Sequence, residues 1–471
     1  MNEHASSTRA FPFPVTAIRT APPPSRLYAV GEALRRHRKA IIGMQWAVTL
    51  FYLVLVTVPA FRPLPNEAAH VYNNLTLFAQ FAFWGIWWPF VILSMMIAGR
   101  AWCGLLCPEG ALAEFASRHG LGHPVPRWMK WGGWPFVAFI ATTVYGQLVS
   151  VYEYPKAVLL ILGGSTLAAL AVGLVYGKGT RVWCRHLCPV SGVFGLLARL
   201  APVHFRVDRA VWDAAPRAAA ADCAPLVDIR RMKGGAQCHM CGKCSGQRNA
   251  VSLAARLPGS EIVALSEKEA RPWETRLLVF GTLGVAVGAF QWSASPWFVA
   301  VKQTFAEWLV ANNRFALLQD NAPWWLLTHY PEANDVFTWL DGLLILVYIG
   351  ATALLLGGWI TLWLRLAAAC LRGSGAQARR IAYALIPLAG AGLFLGLSSL
   401  TVAQIKAEGI ALPWLPYARG ALLTLGIAGS IALAYRQLAG WPSLLRGAAL
   451  AAFSVATVPV AASWIALFYL W

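Results

Sequence analysis

Three thiols, Cys238, Cys241 and Cys244, stand in the run QCHMCGKCSGQRN. The C-x2-C-x2-C spacing opens a bacterial 4Fe–4S loop, which normally continues with three residues, a fourth cysteine and a proline. Here Arg248 holds the fourth position and no proline follows. A cubane cluster takes four thiolates, so one ligand must come from elsewhere. Cys223, upstream in ADCAPLVDIRRMKGGAQC, lies in the same loop and is the expected fourth ligand. Leu226, Val227 and Ile229 should then pack against the cluster, with Gly234 and Gly235 bending the chain back. Zinc also takes four thiolates, but its loops usually supply two separated C-x2-C pairs; three tightly spaced cysteines better fit one corner of a cubane. His239, between two ligands, is expected to point away.

A second set of thiols is duplicated. RAWCGLLCPEGALAEFASR (100–118) and RVWCRHLCPVSGVFGLLAR (181–199) share the form R-x-W-C-x3-C-P. Buried structural thiols would not need the motif, its spacing and its position to be repeated. If each pair lies on one helix, Cys103 with Cys107 and Cys184 with Cys188 share a face at i and i+4. Pro108 and Pro189 suit a first helical turn or a kink, and Trp102 and Trp183 suit a membrane–water interface. Internal repeats in membrane proteins often build a site at the repeat interface. The four cysteines are therefore expected to form one redox or metal-handling site, with Arg100, Arg181, Arg185 and His186 lowering their thiol pKa values. Cys370 remains, and is read as a packing thiol.

The elements that position these residues are membrane helices. Hydrophobic residues make up 58% of the 471 and charged residues 13%, against about 25% charged in soluble domains. Nine apolar stretches approach the roughly 20 residues a bilayer requires: about 41–61, 78–99, 132–152, 157–177, 275–292, 340–364, 381–404, 418–435 and 447–470. The first lacks a cleavage site and reads as an uncleaved anchor. With a cytoplasmic N-terminus, only Arg62, Lys156, Lys302, Arg314, Lys406 and Arg419 of the 39 Lys and Arg fall on the far side. That is the positive-inside bias, and it accounts for most of the net charge of +19. No nucleic-acid partner is expected from it. All eight motif cysteines then face a reducing compartment, where persistent disulfides are rare.

The expected fold class is an all-α polytopic membrane protein of about nine transmembrane helices with a small cytoplasmic ferredoxin-like iron–sulfur loop domain. Its divisions are a cytoplasmic N-terminal tail (1–40), duplicated hairpin-plus-C-x3-C-P units (41–200), the cluster segment (201–272) and a C-terminal transmembrane region of about five helices (273–471). In that last region a periplasmic loop rich in Trp297, Trp308, Trp324, Trp325 and Trp339, with His329, reads as interfacial, and aromatic surroundings of that kind suit a quinone. None of the nine histidines falls in a span, which argues against haem. No P-loop, dinucleotide fingerprint or Ser–His–Asp pattern is evident.

This pattern of doubled W-C-x3-C-P segments after membrane hairpins, followed by a cysteine-rich loop, resembles the membrane-bound polyferredoxin group. That group includes the nitrous oxide reductase regulator, the quinol-oxidising membrane subunit of periplasmic nitrate reductase and the accessory ferredoxin of cbb-type cytochrome oxidase. The resemblance covers roughly residues 40–260. It implies cluster ligation by Cys238, Cys241 and Cys244, and redox or metal-handling roles for Cys103, Cys107, Cys184 and Cys188. It departs from the group in having one unconventional cysteine set where two four-cysteine motifs are usual.

The expected function is membrane-bound electron transfer: one 4Fe–4S cluster on Cys223, Cys238, Cys241 and Cys244 exchanges single electrons with the C-x3-C-P cysteines and a respiratory or maturation partner. Such a chain is an oxidoreductase-type component rather than a stand-alone enzyme. A further metal or cluster at Cys103, Cys107, Cys184 and Cys188, and a quinone, are the other cofactors the pattern admits. Membrane lipid and a redox protein or quinone are the expected partners, and the bacterial inner membrane the expected location. Copper reduction or delivery for metalloenzyme assembly and redox sensing are the alternative functions.

Overall fold

A computed structural model describes residues 25–66, 68–215 and 223–471. The fold is all-α and polytopic, as expected. Eight helices are long and apolar enough to cross a membrane: Arg38–Phe61, Leu75–Ala98, Pro155–Tyr176, Pro272–Ala294, Trp339–Cys370, Gly375–Ala407, Leu415–Gln437 and Ser443–Leu470. Uncharged stretches of this length become helices in lipid because only a helix satisfies every backbone group within the segment.

The ninth expected span, 132–152, is shorter than predicted. Its helix runs Trp134–Leu148, 15 residues, or about 22 Å against a hydrocarbon core of about 30 Å. Gly133 and Pro135 start it late, and it stops where Ser150 takes a left-handed φ of 47° before the chain enters Pro155. It still carries the chain away from the first C-x3-C-P segment so that Pro155–Tyr176 can bring the second back beside it.

Two helices form the centre of the bundle. In Pro272–Ala294 and Gly375–Ala407, 72% and 78% of the apolar window is buried, against 28–39% in the other six. Leu277, Leu278, Ile386 and Leu388 from these two helices join Trp464 in one continuous core. Leu354, Leu355 and Leu362 stay exposed on Trp339–Cys370, as a lipid-facing surface requires. The outer loop contains the helix Pro296–Ala311, which exposes Trp297, Phe305 and Trp308 in the manner of an interfacial helix.

A small cap sits on the end of the bundle that bears the motifs. Strands Val203–Val207 and Val251–Ala255 pair antiparallel, Phe205 opposite Leu253, and close the base of the cysteine loop. The segment 1–40 is more than a tail. Residues 1–24 lie outside the described residues, but Arg26–Arg36 is a helix capped by Ser25. Its Leu27 and Leu34 pack with Phe205, Met240 and Leu253, and Glu32 accepts a 2.7 Å bond from Ser245 Oγ.

Candidate metal centres at two cysteine quartets

The C-x2-C-x2-C loop is wound by residues in the left-handed region, Met240 (φ 53°) and Gly242 (φ 74°). At Gly242 a side chain would strike Leu34 of the N-terminal helix, so glycine is required both by its backbone and by its neighbour. The result is a small cavity lined by Cys223, Cys238, Cys241 and Cys244 together, with apolar walls from Phe205, Val227, Ile229 and Met232. Cys223 therefore joins the other three. Val227 and Ile229 pack as expected. Leu226 does not: it takes a φ of 57° and is 44% exposed, because the turn after Cys223 throws its side chain outward.

The donor set fits a cluster better than a single ion. Three thiols at C-x2-C-x2-C with a fourth from upstream suit one corner of a cubane, whereas zinc loops usually supply two separated C-x2-C pairs. The four cysteines line one cavity. The backbone N–H of Met240 also points at Cys238 Sγ at 3.4 Å, the kind of N–H···S contact that tunes cluster potentials.

The duplicated motifs converge too. Cys103, Cys107, Cys184 and Cys188 all line one cavity of about 230 Å³, with Pro108, Glu109 and Pro189. Their local geometry differs from the helical reading. Cys103 sits in the five-residue helix Ala101–Leu105, while Cys107 caps the next helix, Pro108–Arg118, in an extended conformation. Proline disfavours a helical conformation in the residue before it, so the break falls at Cys107 and the two thiols lie on separate helices. The second copy behaves alike: Cys184 lies in Val182–His186 and Cys188 follows its end. The Gly110 N–H points at Cys107 Sγ at 3.4 Å.

Reciprocal arginines lock the repeats together. Arg181 of the second copy donates through Nη1 to the Cys103 carbonyl, and through Nε and Nη2 to Glu114 Oε2 at 2.8 and 2.7 Å. Its counterpart Arg100 donates to Ser191 Oγ at 2.9 Å, and Ser191 Oγ donates to the Cys184 carbonyl at 2.8 Å. Glu114 is 4% exposed and also receives Lys243 at 2.9 Å. Burial opposes its ionisation, but Arg181 and Lys243 win and hold it down to about 2. Trp183 Nε1 donates to Glu109 at 3.2 Å; burial raises the Glu109 pKa.

For Cys107, Cys184 and Cys188 the shift runs opposite to the expected acidic one. Burial pushes Cys184 up to about 12 despite Arg181. Burial likewise raises Cys107, with Cys103 and Cys184 adding to it, and Cys188, with Glu109 and Cys184 adding to it. Desolvation exceeds the pull of the arginines because these sulfurs are enclosed. Such thiols ionise on binding metal, which deprotonates a coordinating thiol outright.

The two quartets touch. A Cβ at Gly104, inside the first C-x3-C, would collide with the His239 carbonyl oxygen and approach the Cys241 nitrogen to 3.0 Å. His239, 2% exposed, lines both cysteine cavities, and burial with Arg100, Arg181 and Arg185 keeps its ring neutral. Sequence reasoning expected His239 to point away, whereas it lines both cavities, and it missed Glu109, Glu114 and Gly104. One signal was available: the two copies differ at Gly104/Arg185, Glu109/Val190 and Glu114/Gly195. In the first copy, each of these departures carries a contact to the second copy or to the cysteine loop.

A 4Fe–4S binding domain family matches residues 80–130 and 160–208, the stretches that carry Cys103, Cys107, Cys184 and Cys188. YccM of Escherichia coli, named provisionally as an electron transport protein, is 28% identical over 140 residues, covering 25% of this chain and 39% of its own. MauN of Methylorubrum extorquens, a methylamine utilization ferredoxin-type protein, is 28% identical over 135 residues, covering 25% of this chain and 45% of its own. These matches span less than half of each relative. No solved structure matches. The chain is similar to membrane proteins of the 4Fe–4S ferredoxin type, as the doubled motif implies.

Proposed function

We propose that the protein passes single electrons through two metal centres, a 4Fe–4S cluster on Cys223, Cys238, Cys241 and Cys244 and a second centre on Cys103, Cys107, Cys184 and Cys188. The observation that carries this reading is the contact of the two quartets through Gly104 and the His239–Cys241 backbone. Two isolated structural sites would not need such an approach. The family match favours an iron–sulfur cluster for the second centre as well, since it falls on those four cysteines.

Each cluster, when bound, supplies a one-electron couple; the chain supplies the rest. It fixes the separation of the quartets by backbone contact. It holds the second quartet together through Arg100, Arg181 and Glu114, and it keeps a neutral imidazole, His239, between the sites. The Lys and Arg bias favours a cytoplasmic N-terminus and cytoplasmic cysteines at a bacterial inner membrane.

A membrane-side partner is supported by the 230 Å³ cavity. Tyr52, Trp84, Trp87, Trp88 and Tyr152 form its aromatic wall directly beside the C-x3-C-P cysteines. This enclosure suits the ring of a quinone better than the exposed outer loop does.

Anaerobic purification with iron and sulfide analysis tests the proposal. About eight iron atoms per chain are expected from two clusters, falling by about half in Cys241→Ser and in Cys107→Ser. An iron content that does not respond to Cys107→Ser would refute the second centre.

A further inference from the structure

A second large cavity, about 250 Å³, opens on the motif-bearing end beside Cys184 and His239, and its walls are basic: Arg100, Lys130, Arg185, His186 and Arg271. The acid it contains, Glu274, is already committed. Its carboxylate takes Arg199 at 2.9 Å and the Tyr383 hydroxyl at 2.9 Å, and Arg271 reaches it only at 3.9 Å. No carboxylate among the described residues pairs with Lys130 or Arg185. Cations gathered round one space repel each other unless an anion joins them.

Two buried side chains that line this space each carry an unpartnered nitrogen. Arg100 is 6% exposed; its two Nη atoms are used on Ala236 and Ser191, and its Nε has no partner. His239 is 2% exposed, and its Nδ1 has none. A buried polar atom without a partner is costly, and here two belong to residues lining the same cavity.

Charge compensation of a cluster on the hairpin cysteines accounts for Arg100 and Arg185, which belong to the motifs. It does not account for Lys130 and Arg271. These come from separate segments outside the motifs and are both exposed. Arginine forks and a lysine point charge are the groups that take phosphate oxygens, and basic pockets between membrane helices suit phosphorylated head groups.

We propose that this cavity is a phosphate-recognition site, taking the phosphate ester of an anionic lipid head group or of a soluble phosphorylated compound. The inference goes beyond electron transfer and does not depend on it. It requires only that the cavity bind an anion.

The test uses the full-length, cofactor-loaded protein in nanodiscs of zwitterionic phosphatidylcholine at about 0.15 M salt, where weak surface attraction is screened. Inorganic phosphate and pyrophosphate are titrated calorimetrically into wild type, Lys130→Gln and Arg271→Gln. Saturable binding is expected, weakened on the order of tenfold in each variant, as for loss of one charge-assisted bond. Iron content should be unchanged. Repeating the titration with phosphatidylglycerol in the disc separates the sources. Loss of pyrophosphate binding assigns the site to a lipid head group, and unchanged binding assigns it to a soluble phosphate. Absence of saturable binding in wild type, or wild-type binding in both variants, overturns the proposal. So does loss of iron in the variants, which would make these cations part of the metal centre. If Arg271→Gln fails to fold, the exposed Lys130→Gln carries the comparison alone.

Discussion

The carbonyl oxygen of His239 occupies the space a Cβ on residue 104 would need. The two cysteine-bearing segments thus meet backbone to backbone only because Gly104 has no side chain. Gly104→Val should push the Cys238 loop off the hairpin without removing any thiol. Iron content is expected to fall, or the reduced-protein resonance signals to change, about as much as in Cys241→Ser. A variant with unaltered iron and spectra would show that the contact is incidental.

Glu114 joins the two repeats through Arg181 and lies under Lys243. Breaking a buried pair by removing one partner costs on the order of 3–5 kcal/mol, so Glu114→Ala should lower thermal stability sharply in detergent melts. The pH dependence has a definite sign. The Glu114 pKa is depressed from 4.5 to about 2, so its contribution is present above pH 4.5 and is lost as pH falls towards 2. Glu114→Gln should flatten the melting temperature across that window. A wild-type profile identical to that of the variant would contradict the assignment.

Cys223 completes the loop quartet, whereas Cys370 lies on the long helix Trp339–Cys370. Cys223→Ala is expected to lower iron about as much as Cys241→Ala, and Cys370→Ala to leave it unchanged. Colorimetric iron assays on the three purified variants decide between them.

The hairpin cysteines surround one cavity, so their losses should not add. Cys107→Ala should impair electron transfer nearly as much as Cys107→Ala combined with Cys188→Ala, because residues acting as a unit fail together. Additive losses in the double-variant comparison would mean separate sites.

Much of this was legible in the chain itself. Eight spans followed from unbroken apolar length, and the convergence of Cys103, Cys107, Cys184 and Cys188 from the repeat. Cys223 was expected by elimination and lines one cavity with Cys238, Cys241 and Cys244. The errors have local causes. The restriction that Pro108 and Pro189 place on the residue before them takes Cys107 and Cys188 off the helix that carries their partner, which i,i+4 spacing alone does not register. The thiol pKa direction was misjudged because arginines are visible in sequence and depth of burial is not. Glu114 and His239 stand at variable positions of their motifs. Their importance arises from contacts between distant segments, such as Glu114 with Arg181 and His239 with Gly104.

The central claim is that two metal centres lie in contact and exchange electrons. Electron paramagnetic resonance of the anaerobically reduced protein addresses it most directly. Two clusters held by touching quartets should give a split or broadened spectrum from interacting spins, collapsing to one simple signal in both Cys107→Ser and Cys241→Ser. A single unsplit signal in the wild type, unchanged by Cys107→Ser, would contradict it.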